Sequence, residues 1–429
     1  MSVSGRGIVA AAALWLLVTG CDSPHEFDEA LPVLVGESSL VSAATTDSSL
    51  LLADVRGTRG PEVVLYQSPH VMVFDLNANL IDRFEVPTTA GDRLLGADFD
   101  GDGKTDLHLV SNSGRGARLH VMNGYGHTLA DEPVTCEEHR FARAELALIL
   151  DGRLVLVAPE YWPSSPRGIV SIDWPNREET RFFALPANPT GVTVAPGPAL
   201  LVSMQTSTAN MYPYFGSPPE RTESVTDRWL TYVALDQNAE LMTLARYSVD
   251  GRPLAGDLTY RGGAVADTGV FLEIDEGARD GQGPLIARAP SPEGVRSGER
   301  LALHPVRAEG ELLDLSTFAR ETSEAEPRVA TLERQAGNAV LVLRGDDLRE
   351  IGRHPVPARA TRFGPRFHAG RPDEALSILS EDGLWAVSLR APEPVRLVDG
   401  AVRAAALFTR RGRAHIVVAG ERLRVYRLE

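Results

Sequence analysis

Apolar residues in this chain come in short runs, each cut by Gly, Pro, Asn or Asp. Leu51-Leu52-Ala53, Val63-Val64-Leu65-Tyr66 and Leu107-His108-Leu109-Val110 are typical, and the last alternates as a strand does. No long stretch repeats its apolar residues with the 3.6-residue period of a helix. The pattern predicts an all-β protein. A hairpin recurs within it. Val73-Phe74-Asp75-Leu76-Asn77-Ala78-Asn79-Leu80 matches Ala234-Leu235-Asp236-Gln237-Asn238-Ala239-Glu240-Leu241. Looser copies occur at Val121–Gly126 and Val342–Leu348. In each, two apolar strands flank a polar turn.

A second recurring unit places the strands. Ala97-Asp98-Phe99 aligns with Ala53-Asp54-Val55, Gly101 with Gly57 and Asp106 with Glu62, at an offset of 44 residues. A period of that size is typical of one four-stranded unit in a repeat fold. Together the two signals predict units whose first strands begin near Leu51, Leu94, Glu145, Gly191, Leu258, Leu312, Thr361 and Val402. That makes eight units, or seven if the poorly patterned region 250–330 holds one fewer. The last unit, Arg403 to Val418 followed by Arg422–Leu428, is one strand short. The early run Leu31–Val35 can supply that strand and close the array, which removes exposed sheet edges. Pro32 near its start suits an edge. Residues 31–429 are therefore read as one domain.

The most chemically specific stretch is Asp98-Phe99-Asp100-Gly101-Asp102-Gly103-Lys104-Thr105-Asp106. Four carboxylates this close repel one another unless a cation neutralises them. Ca²⁺ takes such hard oxygen ligands at about 2.3–2.6 Å. Gly101 and Gly103 let the chain turn so that alternate side chains converge. Asp98, Asp100, Asp102 and Asp106 would supply carboxylates, and Lys104 its backbone carbonyl. The loop is not an EF-hand: the twelfth position, which needs Glu, is Leu109, and helical flanks are missing. The alternative is a metal-free Asp/Gly turn. Strand, DxDGDGxxD loop and strand together resemble the FG-GAP/VCBS repeat of β-propellers. That resemblance implies a single β-propeller of eight, alternatively seven, four-stranded blades. It also implies one structural Ca²⁺ in a loop joining the two innermost strands of a blade. The copy at Asp54–Glu62 has Arg56 and Thr58 in ligand positions and is expected to keep the turn without metal. The copy at Phe367–Asp373 is similarly reduced.

Charge and the amino terminus bear on location. A formal charge of −15 argues against nucleic-acid partners, which need a basic surface. Arg6 precedes an apolar run from Ile8 to Val18, too short to span a bilayer comfortably. Val18-Thr19-Gly20-Cys21 resembles a bacterial lipobox. The resemblance implies a signal peptide over 1–20, acylation of Cys21 and a tether over 21–30. It also implies export to the cell envelope, anchored by lipid to the inner or outer membrane. With Cys21 acylated, Cys136 has no disulfide partner within the chain.

Catalytic signatures are missing from the sequence: HExxH, GxSxG, GxxxxGK[ST] and paired Cys-x-x-Cys do not occur. His139, His304, His354, His368 and His415 are scattered over several units. The five Trp hold no fixed position in the repeat, which weighs against quinone-type dehydrogenases. The aromatic loop at Met211–Phe215 is a candidate binding surface, and Tyr161-Trp162-Pro163 reads as packing. The acidic stretch Asp275–Gly283 lacks the alternating ligand pattern. The reading is a non-catalytic envelope protein that binds a protein or polysaccharide. The alternative is a propeller-fold enzyme such as a polysaccharide lyase or dehydrogenase.

Overall fold

The computed structural model describes residues 32–136 and 306–428, with gaps at 41–43, 45–47, 59, 87–93, 114–115, 318–328, 346, 368–374 and 389–393, and also the strands between 139 and 290. Cys21 and the rest of 1–31, the loop at 211–215, Tyr161-Trp162-Pro163, residues 276–283 and residues 368–373 lie outside the described residues.

Every described element is a strand. β1 (Val33–Ser39) precedes a first sheet of β2 (Ser49–Ala53), β3 (Glu62–Gln67), β4 (His70–Phe74) and β5 (Leu80–Glu85). The second holds β6 (Leu94–Ala97), β7 (Asp106–Ser113), β8 (Gly116–Met122) and β9 (Thr128–Pro133). A short ladder of β10 (Thr135–Cys136) and β11 (His139–Arg140) follows. The third sheet is β12 (Glu145–Leu150), β13 (Arg153–Ala158), β14 (Gly168–Asp173) and β15 (Thr180–Ala184). The fourth is β16 (Asn188–Ala195), β17 (Ala199–Gln205), β18 (Arg228–Leu235) and β19 (Leu241–Ser248). The fifth is β20 (Thr259–Ala266), β21 (Gly269–Asp275), β22 (Leu285–Pro290) and β23 (Val306–Arg307). The sixth is β24 (Glu311–Thr317), β25 (Val329–Gln335), β26 (Asn338–Arg344) and β27 (Glu350–Pro355). The seventh is β28 (Ala360–Phe367), β29 (Ala375–Ser380), β30 (Gly383–Ser388) and β31 (Val395–Asp399). The last joins β32 (Val402–Arg410), β33 (Arg413–Gly420) and β34 (Arg422–Arg427) to β1, in the order β1-β34-β33-β32.

Eight four-stranded antiparallel sheets thus occur among the described residues, seven of them simple meanders. The first strands begin at Ser49, Leu94, Glu145, Asn188, Thr259, Glu311, Ala360 and Val402, each within three residues of the expected start. The region 250–330, hard to parse from sequence, contributes a sheet beginning at Thr259 and the first strand of the next. β1 completes the last sheet, with Val33 opposite Arg427 and Ser39 opposite Arg422.

Packing follows from the period of two along a strand. In β3 every residue is buried, and alternate side chains serve opposite neighbours. Val63 and Leu65 pack with Phe408, Val417 and Leu423 of the last sheet. Val64 and Tyr66 pack with Leu94, Leu107 and Leu109 of the second. The same face-to-face stacking joins β25 and β26 to β29 through Leu332, Leu341, Leu376 and Ile378. The middle strands are buried on both faces, so they read as continuous apolar runs. The fourth strands, such as β5 and β27, are largely exposed. Along the other axis, first strands meet first strands: β32 meets β2, β2 meets β6 and β6 meets β12. On the other side β16, β20, β24, β28 and β32 follow one another in the same way.

One expectation needs correction. Leu31–Val35 is the run expected to close the last sheet; β1 spans Val33–Ser39 and does not bury its apolar side chains. Val33, Leu34 and Val35 are 39%, 49% and 38% exposed. The closing strand contributes backbone pairing and a close approach. Gly36 lies against the Asn77 backbone of the first sheet, and a Cβ there would fall 1.8 Å from the Asn77 carbonyl oxygen. Arg410 also donates to Asn77 Oδ1 at 2.8 Å, so the last sheet is tied to the first.

Candidate metal centre

The loop between β6 and β7 organises itself through its own carboxylates. Asp98 accepts from the Gly101 N–H at 2.8 Å and the Gly103 N–H at 3.0 Å. Both glycines have positive φ, 78° and 83°, which residues with a Cβ rarely adopt. Asp100 accepts from the Asp102 N–H at 3.1 Å. Asp106 stands at the start of β7, buried, and accepts from the Phe99 N–H at 2.9 Å. The turn brings one carboxylate oxygen each from Asp98, Asp100 and Asp106 within 4.8 Å of one another. Three hard oxygens converging in this way fit Ca²⁺.

The other two expected ligand residues behave differently. The Asp102 carboxylate accepts from the Lys104 N–H at 2.8 Å and forms an ion pair with the Lys104 ammonium. This lysine is the only one in the chain. The hydrogen bond from Lys104 lowers the Asp102 pKa, and Asp102 in return raises that of Lys104. Asp102 therefore carries its own counter-ion, while the other three carboxylates share a site. Asp106 shows the effect of that crowding. Burial first, and then the Asp100 and Asp102 charges, push its carboxyl from 3.8 up to about 6, against the pull of the Phe99 and Asp100 N–H groups.

The reduced copy between β2 and β3 keeps the frame and replaces the cation. Asp54 accepts from the Gly57 N–H at 2.6 Å, and Gly57 has a φ of 69°. Glu62 accepts from the Val55 N–H at 2.9 Å, the same bond as Asp106 to Phe99 seven residues apart. In the position of Asp102, Thr58 donates its hydroxyl to Glu62 at 2.5 Å. In the position of Asp100, Arg56 turns away. It pairs with Asp82 at 2.6 Å, donates to the Gly124 carbonyl at 3.2 Å and lies 4.5 Å over the Tyr125 ring. The two loops touch, since the Thr105 N–H donates to the Asp54 carbonyl at 2.8 Å. A Cβ on Gly57 would lie 3.0 Å from Lys104 Cε.

Sequence reasoning missed the polar groups that join neighbouring first strands. Asp314 of β24 accepts from the Phe363 N–H of β28 at 2.7 Å, and burial raises its pKa. Arg366 of β28 donates to the Thr317 carbonyl, and Arg362 to the Arg403 carbonyl of β32. It also missed a buried pair in the sixth sheet, Glu333 with Arg344 at 2.9 Å. Of the scattered histidines, His415 is buried against Phe408 and burial lowers its pKa. No signal in one sequence distinguishes these polar residues from surface ones, because their partners are 7 to 49 positions away.

Fold and loop together define an all-β protein of stacked four-stranded antiparallel sheets, with an acidic turn between two strands of one sheet. No protein-family profile and no curated protein sequence matches the chain. Among solved structures it is similar to BamB from Moraxella catarrhalis, at 12% identity and a TM-score of 0.47 over 93% of this chain and 98% of that one. It is also similar to apo AztD from Citrobacter koseri, at 9% identity and 0.44 over 84% and 96%. The WD40 domain of Neurospora crassa Pan2 is similar at 8% identity and 0.44 over 80% and 91%.

Proposed function

We propose that the chain is a non-catalytic, lipid-anchored β-propeller of the bacterial cell envelope. In this reading its eight blades form a closed ring, it binds a protein or polysaccharide partner, and it holds one structural Ca²⁺ at Asp98, Asp100 and Asp106. The observation that carries the non-catalytic part is the employment of polar groups along the first strands. In a ring these strands line the axis, where a propeller enzyme would present its reactive side chains. Asp314, Arg362 and Arg366 instead bond backbone groups of the adjacent first strand and lock sheet to sheet. Closure is supported by β1 pairing with β34 and by the Arg410–Asn77 link between last and first sheets. Anchoring rests on Val18-Thr19-Gly20-Cys21.

The Ca²⁺ role is structural. The site pins the first hairpin of one sheet, and its neighbour achieves the same frame with Thr58 and Glu62. Calcium should raise the melting temperature, and Asp100→Ala should abolish the response, whereas Asp102→Ala should leave it in place. A wild-type melt that chelator leaves unchanged would reduce the loop to an acidic turn. For the binding reading, the full chain carrying a photo-crosslinker should capture a defined partner in envelope membranes. Release of unsaturated sugars from a uronate polysaccharide, or substrate oxidation coupled to a quinone, would overturn it in favour of the enzyme.

A further inference from the structure

The turn between β8 and β9 differs from its counterparts in what it exposes. In the first and sixth sheets Ala78 and Leu348 close the turn, and both are buried. The residue before each is polar, Asn77 or Asp347. In the second sheet the closing residue is Gly126, where a Cβ would fall 2.6 Å from Cγ of the Phe84 ring. The large side chain stands one place earlier, at Tyr125, and is 48% exposed. Among the described residues, Tyr125 is the only aromatic among the exposed large apolar side chains.

The ring is held in place by its surroundings. Asn123 Oδ1 accepts from the Tyr125 and His127 N–H groups, each at 3.0 Å. Gly124 is wedged against the first sheet, since a Cβ on it would fall 2.2 Å from the Val55 carbonyl oxygen. Arg56, tied to Asp82 and to the Gly124 carbonyl, lies 4.5 Å from the ring centre. His127 stacks at 6.3 Å and 27°. Full overlap of two rings brings their atoms to about 3.5–4 Å, so this stacking is partial and leaves ring surface open. The acidic loop borders the same place. Lys104 Cε lies 3.0 Å from where a Cβ on Gly57 would be, one residue from Arg56. The Tyr125 phenol also contributes to the upward shift of the Lys104 pKa, after the larger effect of Asp102. Lys104 pairs with Asp102, and Asp98, Asp100, His127 and Thr128 are exposed.

We propose, resting on the partner-binding reading above, that Tyr125 is the stacking platform of a site for a neutral polysaccharide, with Asp102 and Lys104 at its rim. One face of a pyranose ring is a patch of C–H groups, which packs on an aromatic face. The hydroxyls around it donate to a carboxylate and accept from an ammonium. A ring already fixed by Asn123 and Arg56 loses little freedom when it is covered. Polarity and charge choose the partner. A protein hot spot is walled by groups that exclude water, whereas this ring stands among exposed charges. Asp98, Asp100 and Asp102 face a single lysine in a chain of formal charge −15, which repels a uronate or phosphate polymer.

Affinity electrophoresis of the full chain in detergent tests this, in native gels holding hydroxyethylcellulose, glucomannan, dextran or alginate. At least one of the neutral polymers should slow the wild type, and alginate, a polyuronate, should not. Tyr125→Ala should weaken that retardation at least about tenfold, as loss of a central aromatic anchor does, whereas Tyr125→Trp should keep it. Tyr125 is exposed, so Tyr125→Ala should melt with the wild type, which separates a lost contact from a lost fold. Equal retardation of wild type and Tyr125→Ala overturns the proposal. So does free migration in every neutral gel, or slowing by alginate alone. A photo-crosslinker at Tyr125 that captures an envelope protein, with the neutral gels inert, also overturns it and leaves the partner-binding reading standing. If crosslinkers capture nothing and no gel slows the chain, both fail.

Discussion

Asp106 is the residue where the candidate site and folding meet. Its carboxyl, raised to about 6 chiefly by burial, binds a proton more tightly in the folded chain than in the unfolded one. Its contribution to stability is therefore present below pH 3.8 and is lost as pH rises through about 6. A bound cation removes that loss by favouring the ionised form. In chelator, Asp106→Asn should melt above wild type at pH 7 and level with it near pH 4. With calcium at pH 7 the order should reverse, since Asn is the poorer ligand. Equal melts throughout would show that Asp106 is neither strained nor a ligand. Arg344 makes the opposite case, a charge whose partner is already in place. Glu333 is fully buried and takes hydrogen bonds from Thr331, Gln335, the Glu309 N–H and Arg344. Arg344→Met leaves that carboxylate without its counter-charge, and denaturant unfolding should show a loss of about 3–5 kcal/mol. Adding Glu333→Gln should recover much of it.

At the scale of elements, repetition lies in backbone geometry more than in side chains. The turn between third and fourth strands recurs with Asp75 and Ala78, Asn123 and Gly126, and Gly345 and Leu348. In each copy the second residue has positive φ, at 63°, 77° and 64°. The two strands each turn joins shift register at the same point, between Val73 and Phe74, Val121 and Met122, and Leu343 and Arg344. All three turns were legible from the apolar runs around them, although Gly345 stands where the others carry Asp or Asn. β1 is sensitive to a small change. Its edge is held by backbone pairing and by the space that Gly36 leaves for Asn77. Gly36→Ala forces that backbone contact apart and should lower the melting temperature by several degrees, about 1–3 kcal/mol. If the loss comes from this contact, deleting residues 32–40 should cost at least as much. An unchanged melt for Gly36→Ala would mean that last and first sheets are joined elsewhere.

For the whole molecule, the sheets follow one another along the chain and stack on their neighbours where burial is described. The described sheets bury their faces against their neighbours, and such faces accept apolar residues of the right volume. The lipobox-like stretch lies outside the described residues. If Val18-Thr19-Gly20-Cys21 acts as a lipobox, labelled fatty acid should enter the wild type and not Cys21→Ser, and the variant should leave the membrane fraction. Equal labelling of both would remove the anchor. One acyl chain binds only marginally, so stable attachment would need several chains or a second contact.

By itself the sequence determined the all-β class, the start of every first strand to within three residues, and the acidic loop. It also marked β1 as the strand missing from the last sheet. These are local matters: strand period, turn residues and crowded carboxylates act within a few positions of one another. Tertiary structure alone decided which carboxylates converge. Asp98, Asp100 and Asp106 meet, whereas Asp102 is taken by Lys104, because the two glycine turns aim alternate side chains differently. It likewise decided that Arg56 props a neighbouring sheet, that Asp314 and Arg362 tie first strands together, and that Arg410 meets Asn77. Those pairings join residues tens to hundreds of positions apart. Only the stacking of sheets brings them within reach.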